Sequence, residues 1–510
     1  MTPPKPRGAS SIRRGGLVTV CGQLAKTVIQ FLSLITLSRI LSPRDFGLVA
    51  LLTVFVMLGE LLRDFGLTQA AMQARSLTRA QASNLFWTNL GVGAVLAGIL
   101  ASAAPLLAST LDEQALAKIA PFIALSLLLN AAQSQFQVQL ARSFRFMALT
   151  LTDVAAQTAG FASALTAALL GAGYWALVVQ ILVALSVLLA LRAAASGWTP
   201  LLPTRGAGMR ELYRYGIDVG FAQLVAYGAY NTDSYIIGFR YGATALGVYS
   251  RAFTLLMVPF NQLLGPLTNV VLPVLSRERH GSGEFTPTLL RIQYVLGGAL
   301  IGLFSIVVGL AQPIVELALG SEWAQSAIFL RILSVGGAFQ VLSYVAYWAF
   351  LVAGQTRHLF WQNVLTKAVL AACVITGASM GHGIVGVASG YAIGLAVSWP
   401  ISLIWLTRTN SLSGYEFGSS GVYLLGCGAL IALACAGTFD ILRHHWSLPL
   451  LGSTLGASTC GVSTYVLLAL ASPVTREPIQ DIWKSLGVVL GRNGRRITSD
   501  TSRRGDRATR

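Results

Sequence analysis

Apolar residues in this chain come in runs of about twenty, the length a helix needs to cross the roughly 30 Å hydrocarbon core of a bilayer. Fourteen such runs are predicted, at 17–40, 46–70, 83–108, 116–140, 147–170, 174–194, 214–239, 244–273, 288–312, 323–352, 358–380, 384–407, 418–438 and 447–470. The connections are mostly short and leave no room for a large soluble domain. The pattern predicts an all-α polytopic membrane protein.

Polar residues inside these runs recur with helical spacing. The first run carries Thr19, Gln23, Lys26, Gln30 and Ser33 at steps of three and four, one face of a helix. Thr53, Met57, Glu60 and Asp64 do the same in the second. Ser126, Asn130, Gln133 and Gln137 follow in the fourth, Thr150, Asp153 and Gln157 in the fifth, and Arg251, Thr254, Gln262 and Asn269 in the eighth. Intramembrane polar groups face a bundle interior or a water-filled cavity. Isolated amides read as interhelical hydrogen bonds. Five stripes, most of them carrying charge, predict a hydrated interior.

Composition agrees: 54% of the 510 residues are apolar and 11% are charged, against about 25% charged in globular domains. The odd count of five cysteines excludes a disulfide-stapled scaffold. Net charge is +17, but the basic residues lie in short tracts between apolar runs and in the tail, not on one face, which argues against a nucleic-acid partner. With the N-terminus inside and sides alternating, 27 Lys/Arg fall on cytoplasmic segments and 5 on outer ones. This asymmetry fits the positive-inside rule with both termini cytoplasmic.

A weak internal repeat is visible. Leu41–Leu51, LSPRDFGLVAL, is matched by RYGATALGVYS about 200 residues later; ARSFRFMALTLTDV corresponds to AGQTRHLFWQNVLT, and GAGYWALVV to GHGIVGVAS. The expected organisation is a cytoplasmic segment 1–16, an N-terminal lobe of six helices 17–194, a cytoplasmic linker 195–213 and a second six-helix lobe 214–407. Two extra helices follow at 418–470, then a basic cytoplasmic tail 471–510, read as disordered and drawn to anionic lipid. Repeats of even helix number are related by an axis along the membrane normal, as in transporters.

The stretch LSRILSPRDFGLVALLTVFVMLGELLRDFGLTQAAMQARSLTRAQASNLFWTNLG, Leu37 to Gly91, resembles polysaccharide-biosynthesis exporters, the O-antigen and exopolysaccharide repeat-unit flippases of the multidrug/oligosaccharidyl-lipid/polysaccharide superfamily. NTDSYIIGFRYGATALGVYSRAFTLLMVPFNQLLGPLTNVVLPVLSRE resembles the seventh and eighth helices of that family. The likeness runs over most of residues 10–470. It implies export of an undecaprenyl-diphosphate-linked oligosaccharide across the bacterial inner membrane without ATP hydrolysis, for exopolysaccharide or lipopolysaccharide synthesis. The implied partners are this substrate, membrane lipid, a polysaccharide polymerase and a chain-length regulator.

A cation at the bilayer centre costs about 2.5–3.5 kcal/mol even on the lenient insertion scale, so each needs water, an acid or an anionic ligand. Lys26 and Arg251, one per lobe, are the candidates for holding a diphosphate. Gln23, Gln30, Asn130, Gln133, Gln262 and Asn269 are candidates for lining the glycan space. Arg331, with Glu322 or Glu316 as a partner, and Lys367, able to snorkel, are weaker. Asp153 and Asp233 have no cation within one turn; each is read either as an ion-coupling carboxylate or as the partner of Lys26 or Arg251. Glu60, Arg63 and Asp64 read as a structural ion cluster, and Asp218 as a local pair with Arg214.

Other motifs carry less. GHGIVG at 381–386 matches a dinucleotide fingerprint, but no strand precedes it. Asp440, His444 and His445 form an incomplete ligand set, so no metal is expected, and no cofactor. No nucleophile–base motif points to an enzyme. Pro259, Pro266 and Pro273 predict kinks in the eighth run. The expectation is a fourteen-helix flippase working by alternating access. Its rivals are a drug/cation antiporter of the same superfamily and a membrane-embedded polysaccharide polymerase or ligase.

Overall fold

In a bilayer core every backbone N–H and C=O must be satisfied within its own segment or a closed sheet, and here the apolar runs form helices. The computed structural model describes residues 9–74, 76–214, 216–217, 220, 223, 231–280, 285–409 and 412–471. Side chains are described for these except at 9–20, 258, 259, 262, 263, 266, 269, 270 and 280. Asp218, the first eight residues and the basic tail from 472 therefore lie outside the described residues, as do the side chains of Gln262 and Asn269.

The order is α1 (Ala9–Ser38), α2 (Pro43–Asp64), α3 (Leu67–Gln73), α4 (Arg79–Thr110), α5 (Gln114–Arg142), α6 (Phe146–Leu169) and α7 (Trp175–Ser196). Then come α8 (Thr232–His280), α9 (Phe285–Gly309, with a π turn at Gln293–Gly297) and α10 (Ala311–Ala318). The last are α11 (Ser326–Val352), α12 (Thr356–Ser379), α13 (Gly383–Thr409), α14 (Gly414–Asp440) and α15 (Leu450–Ala471). No strand occurs among the described residues. The chain is an all-α polytopic membrane protein, and ten of the described helices are long and apolar enough to cross a bilayer. Helices α1, α6 and α8, which carry three of the five polar stripes, are not among those ten.

Helix ends follow local chemistry. Ser42 caps α2 and Thr78 caps α4, each in a reciprocal capping box completed by Asp45 and Gln81. The backbone inside α8 leaves helical values at Gly242 (φ 82°, ψ −177°), so two helices meet there; Pro259 and Pro266 sit within helical backbone. The GHGIVG tract is a helix–turn–helix: Gly381 and Gly383 take positive φ, and Gly386 lies against the backbone of Gly377. Gly171 and Gly173 make the same turn between α6 and α7. The corner at Phe144 (φ 54°) is likewise matched at Gly354 (φ 67°), each followed by an N–H donated five residues back, Arg145 to Leu140 and Gln355 to Phe350.

The described helices divide into two compact units. The first draws on Met1–Pro266, Ala311–Gly336 and Asn363–Val397. Within it α4 packs on α5 through Ala97, Leu100, Ala124 and Leu127, and Gly160 of α6 accepts the close approach of Ala184 on α7. Two stretches of this unit meet backbone to backbone. A methyl at Gly47 would overlap the carbonyl oxygen of Ala243, and one at Gly247 would overlap that of Pro43. The reciprocity pairs Pro43 with Ala243 and Gly47 with Gly247, 200 residues apart in each case. Beside this crossing Trp323 donates its indole N–H to the Ser38 carbonyl at 2.7 Å and meets the Phe46 ring edge-on. Arg39 donates to the Leu317 carbonyl.

The second unit draws on Leu267–Leu310, Gly337–Gln362 and Ser398–Arg510. Its helices α9, α14 and α15 pack through small residues: Gly428 against Ser305, Gly461 against Cys435, Gly302 against Tyr465. Buried Gln293 donates to the Phe417 carbonyl at 3.1 Å and to Ser420 Oγ at 2.8 Å.

Candidate substrate cavity

Inside the first unit a cavity of about 470 Å³ is walled by α1, α2, α6, α7 and α8, with Gln30, Ser33, Gln157, Gln180, Arg251 and Thr254 supplying polar groups. Ser33 accepts a hydrogen bond from Gln180 at 2.9 Å. The Arg251 guanidinium lies 4.3 Å from the centre of the buried Phe46 ring, a cation–π contact. Its Nε has no hydrogen-bond partner among the described residues. None of the described ion pairs includes it. A desolvated guanidinium without an acid attracts an anion strongly: at about 4 Å and an effective dielectric near 20, one unit charge contributes about 4 kcal/mol.

A second chamber of about 570 Å³ shares Thr53, Met57 and Ile181 with the first and is lined further by Glu60, Arg63, Asp64, Ser126 and Asn130. The whole predicted stripe of α2, from Thr53 to Asp64, faces cavity. Arg63 donates to Glu60 at 3.0 Å, so the expected ion cluster is present. It also forms chamber wall.

Between α1, α5, α6 and α7 runs a half-buried charge network. Asp153 accepts from Lys26 at 2.9 Å and from Arg192 at 2.6 Å, one cation on each oxygen. Arg192 also donates to Gln137 at 3.0 Å and to Gln133. Its side chain is 5% exposed. Two cations on one carboxylate leave the cluster one positive charge in excess.

The predicted residues therefore separate. Arg251, Gln30 and Asn130 line the cavities, and Gln157 joins them. Lys26 lines neither chamber, because Asp153 holds it; of the two readings of Asp153, the structure shows the pairing with Lys26. Gln133 is buried in the network rather than lining a chamber. Gln23 and Arg331 are exposed and Lys367 is half-buried, none of them a chamber residue. Asp233 is 3% exposed and accepts the Tyr249 hydroxyl at 2.6 Å. Arg192 and Arg63, both counted with the cytoplasmic charges and not among the candidate site residues, are buried at the site. Gln180, a lone amide in the apolar sequence WALVVQILVAL, was the available signal for α7 facing the cavity.

A sequence profile described as polysaccharide biosynthesis protein matches residues 36–328. The chain belongs to this family. Within it, the chain is 22% identical over 399 residues to the lipopolysaccharide biosynthesis protein WzxC of Escherichia coli, covering 74% of this chain and 77% of that one. It is 25% identical over 394 residues to the succinoglycan biosynthesis transport protein ExoT of Rhizobium meliloti, covering 76% of each. Among solved structures it resembles the lipid II flippase MurJ in an inward closed conformation, with a TM-score of 0.72, 11% identity, and 89% of this chain and 98% of that chain covered. At that identity the likeness is one of fold.

Proposed function

We propose that this protein is a flippase that moves undecaprenyl-diphosphate-linked oligosaccharide repeat units across the bacterial inner membrane for exopolysaccharide or lipopolysaccharide synthesis. The observation that carries the reading is Arg251, a guanidinium without a carboxylate partner among the described residues, lining an amide-rich cavity inside a membrane protein of a polysaccharide biosynthesis family. A diphosphate supplies the missing anion, and guanidinium can grip phosphate oxygens in bidentate fashion. Amides from Gln30, Gln157 and Gln180 supply donors and acceptors for sugar hydroxyls. The prenyl tail stays in lipid.

In this reading the two six-helix repeats, 17–194 and 214–407, are related by an axis along the membrane normal and rock to expose the cavity to one side and then the other, helices at 418–470 are additions, fourteen spans cross the bilayer and both termini are cytoplasmic. The seam at Gly47 and Gly247 then closes the outer end. Lys26 acts through Asp153 rather than on the diphosphate. Asp233 is the candidate for ion coupling. A polysaccharide polymerase and a chain-length regulator are the expected protein partners. The names of WzxC, ExoT and MurJ agree with lipid-linked export, and a cationic cavity disfavours a drug/cation antiporter.

The test is a deletion strain scored for undecaprenyl-linked repeat units on the inner leaflet. Accumulation is expected on deletion, is relieved by the wild-type gene, and persists with Arg251→Glu expressed at equal level. Normal export with Arg251→Glu removes Arg251 from the mechanism. Absence of accumulation in the deletion strain removes the flippase assignment.

A further inference from the structure

The chamber around Glu60 differs in chemistry from the one around Arg251. Its charged wall consists of two carboxylates, Glu60 and Asp64, and one guanidinium, Arg63. Arg63 is 5% exposed. It spends Nη2 on Glu60, while Nε and Nη1 have no partner among the described residues. Both of those nitrogens are closed off from the open space of the chamber, so Arg63 contributes to its wall through the rest of its side chain. Asp64 accepts both bonds from Thr68 on Oδ1, its backbone N–H at 3.3 Å and its hydroxyl, leaving Oδ2 as an acceptor.

Asn130 is oriented from a distance. Arg192 has only donors, so the Gln133 oxygen must face it. The Gln133 NH₂ group is thereby turned to the Asn130 oxygen. The Asn130 NH₂ group is left as the end of the relay, in the chamber wall. The Asn130 amide donor thus stands with acceptors from Glu60 and Asp64 around one space, with Arg63 in its wall. A phosphate matches only the donor. A sugar hydroxyl donates and accepts at once, and matches both.

We propose that this chamber is a subsite for one neutral, hydroxyl-rich sugar ring of the cargo, and that the net charge of −1 on its described lining residues disfavours a uronic acid at that position. The proposal rests on the flippase reading and adds the class of sugar. Arg192 and Gln133 are positioning residues for it, while Arg63, Asn130, Glu60 and Asp64 touch the ring.

The experiment measures binding to the full chain in lipid nanodiscs with three probes: farnesyl diphosphate, farnesyl diphosphate bearing glucose, and farnesyl diphosphate bearing glucuronate. For the wild type the glucose probe binds tighter than the other two. Asp64→Asn keeps an acceptor for Thr68 and removes a charge; Asn130→Asp keeps the acceptor for Gln133 and adds one. Relative to glucose, glucuronate binding rises about fivefold in the first variant and falls by a similar factor in the second, as expected for one charge at several ångströms in a wet cavity. Shifts of the same sign in both variants, or equal wild-type binding of bare and glucosylated probes, overturn the subsite while the flippase reading stands. Failure of all three probes to bind the wild type overturns both.

Discussion

Arg192 donates to Asp153 at 2.6 Å from α7, four residues before that helix ends at Ser196, and the same carboxylate takes Lys26 on its other oxygen. The two cations are not equivalent. The Arg192 side chain is 5% exposed and Lys26 is 31% exposed. Removing the deeper partner strands Gln133 and Gln137 as well as half of Asp153. Arg192→Ala is expected to cost about 3 kcal/mol of stability, as when a buried pair loses one member. Lys26→Met is expected to cost under about 1 kcal/mol, since water screens that pair. Thermal unfolding of the purified variants in detergent checks the order; Lys26→Met as the more damaging change contradicts it.

Arg251 combines a ring contact with an unfilled donor, which an ammonium cannot reproduce. Arg251→Lys is therefore expected to lose at least tenfold in farnesyl diphosphate affinity, and Arg251→Gln more, about 1.4 kcal/mol for each factor of ten. Both variants keep the fold, which unfolding curves verify. Full affinity with lysine would reduce the site to a point charge.

Asp233 offers a test of ion coupling. Asp233→Asn keeps an acceptor for Tyr249 and is expected to leave stability within about 1 kcal/mol, whereas Tyr249→Phe strands a buried carboxylate at about 1–3 kcal/mol. If Asp233 loads a proton, Asp233→Asn abolishes the acceleration of flipping by an imposed proton gradient in proteoliposomes. An undiminished response assigns coupling elsewhere.

Gly47→Val and Gly247→Val each drive side-chain carbon into a main-chain carbonyl that cannot rotate away. Each is expected to lower stability by about 1–3 kcal/mol or more, the range for overpacking, and to impair export. Gly91→Ala, whose added carbon meets nothing within 4 Å, is the matched control. Valine at 47 with wild-type melting contradicts the crossing.

Periodicity revealed the helices and the cavity-facing stripes, because burial of amides in a bilayer obliges them to share a side. Thr53, Met57, Glu60 and Asp64 were legible for that reason. Periodicity did not reveal partners. Lys26 finds Asp153 at a separation of 127 residues, and no local window contains both. Arg192 was passed over as a site residue because it lies near a helix end, where basic residues read as topology signals. Its burial comes from acceptors on α5 and α6, which only packing brings together. The break in α8 falls at Gly242, between the seventh and eighth predicted runs, where a positive φ ends helical geometry outright.

The crossing of Pro43–Gly47 with Ala243–Gly247 is a join of main chain on main chain. Exchange of neighbouring side chains does not alter the shape of a peptide group. Descendants of this sequence can therefore diverge freely in the residues that greet a cargo while inheriting one unchanged shutter, and a new glycan demands no new hinge.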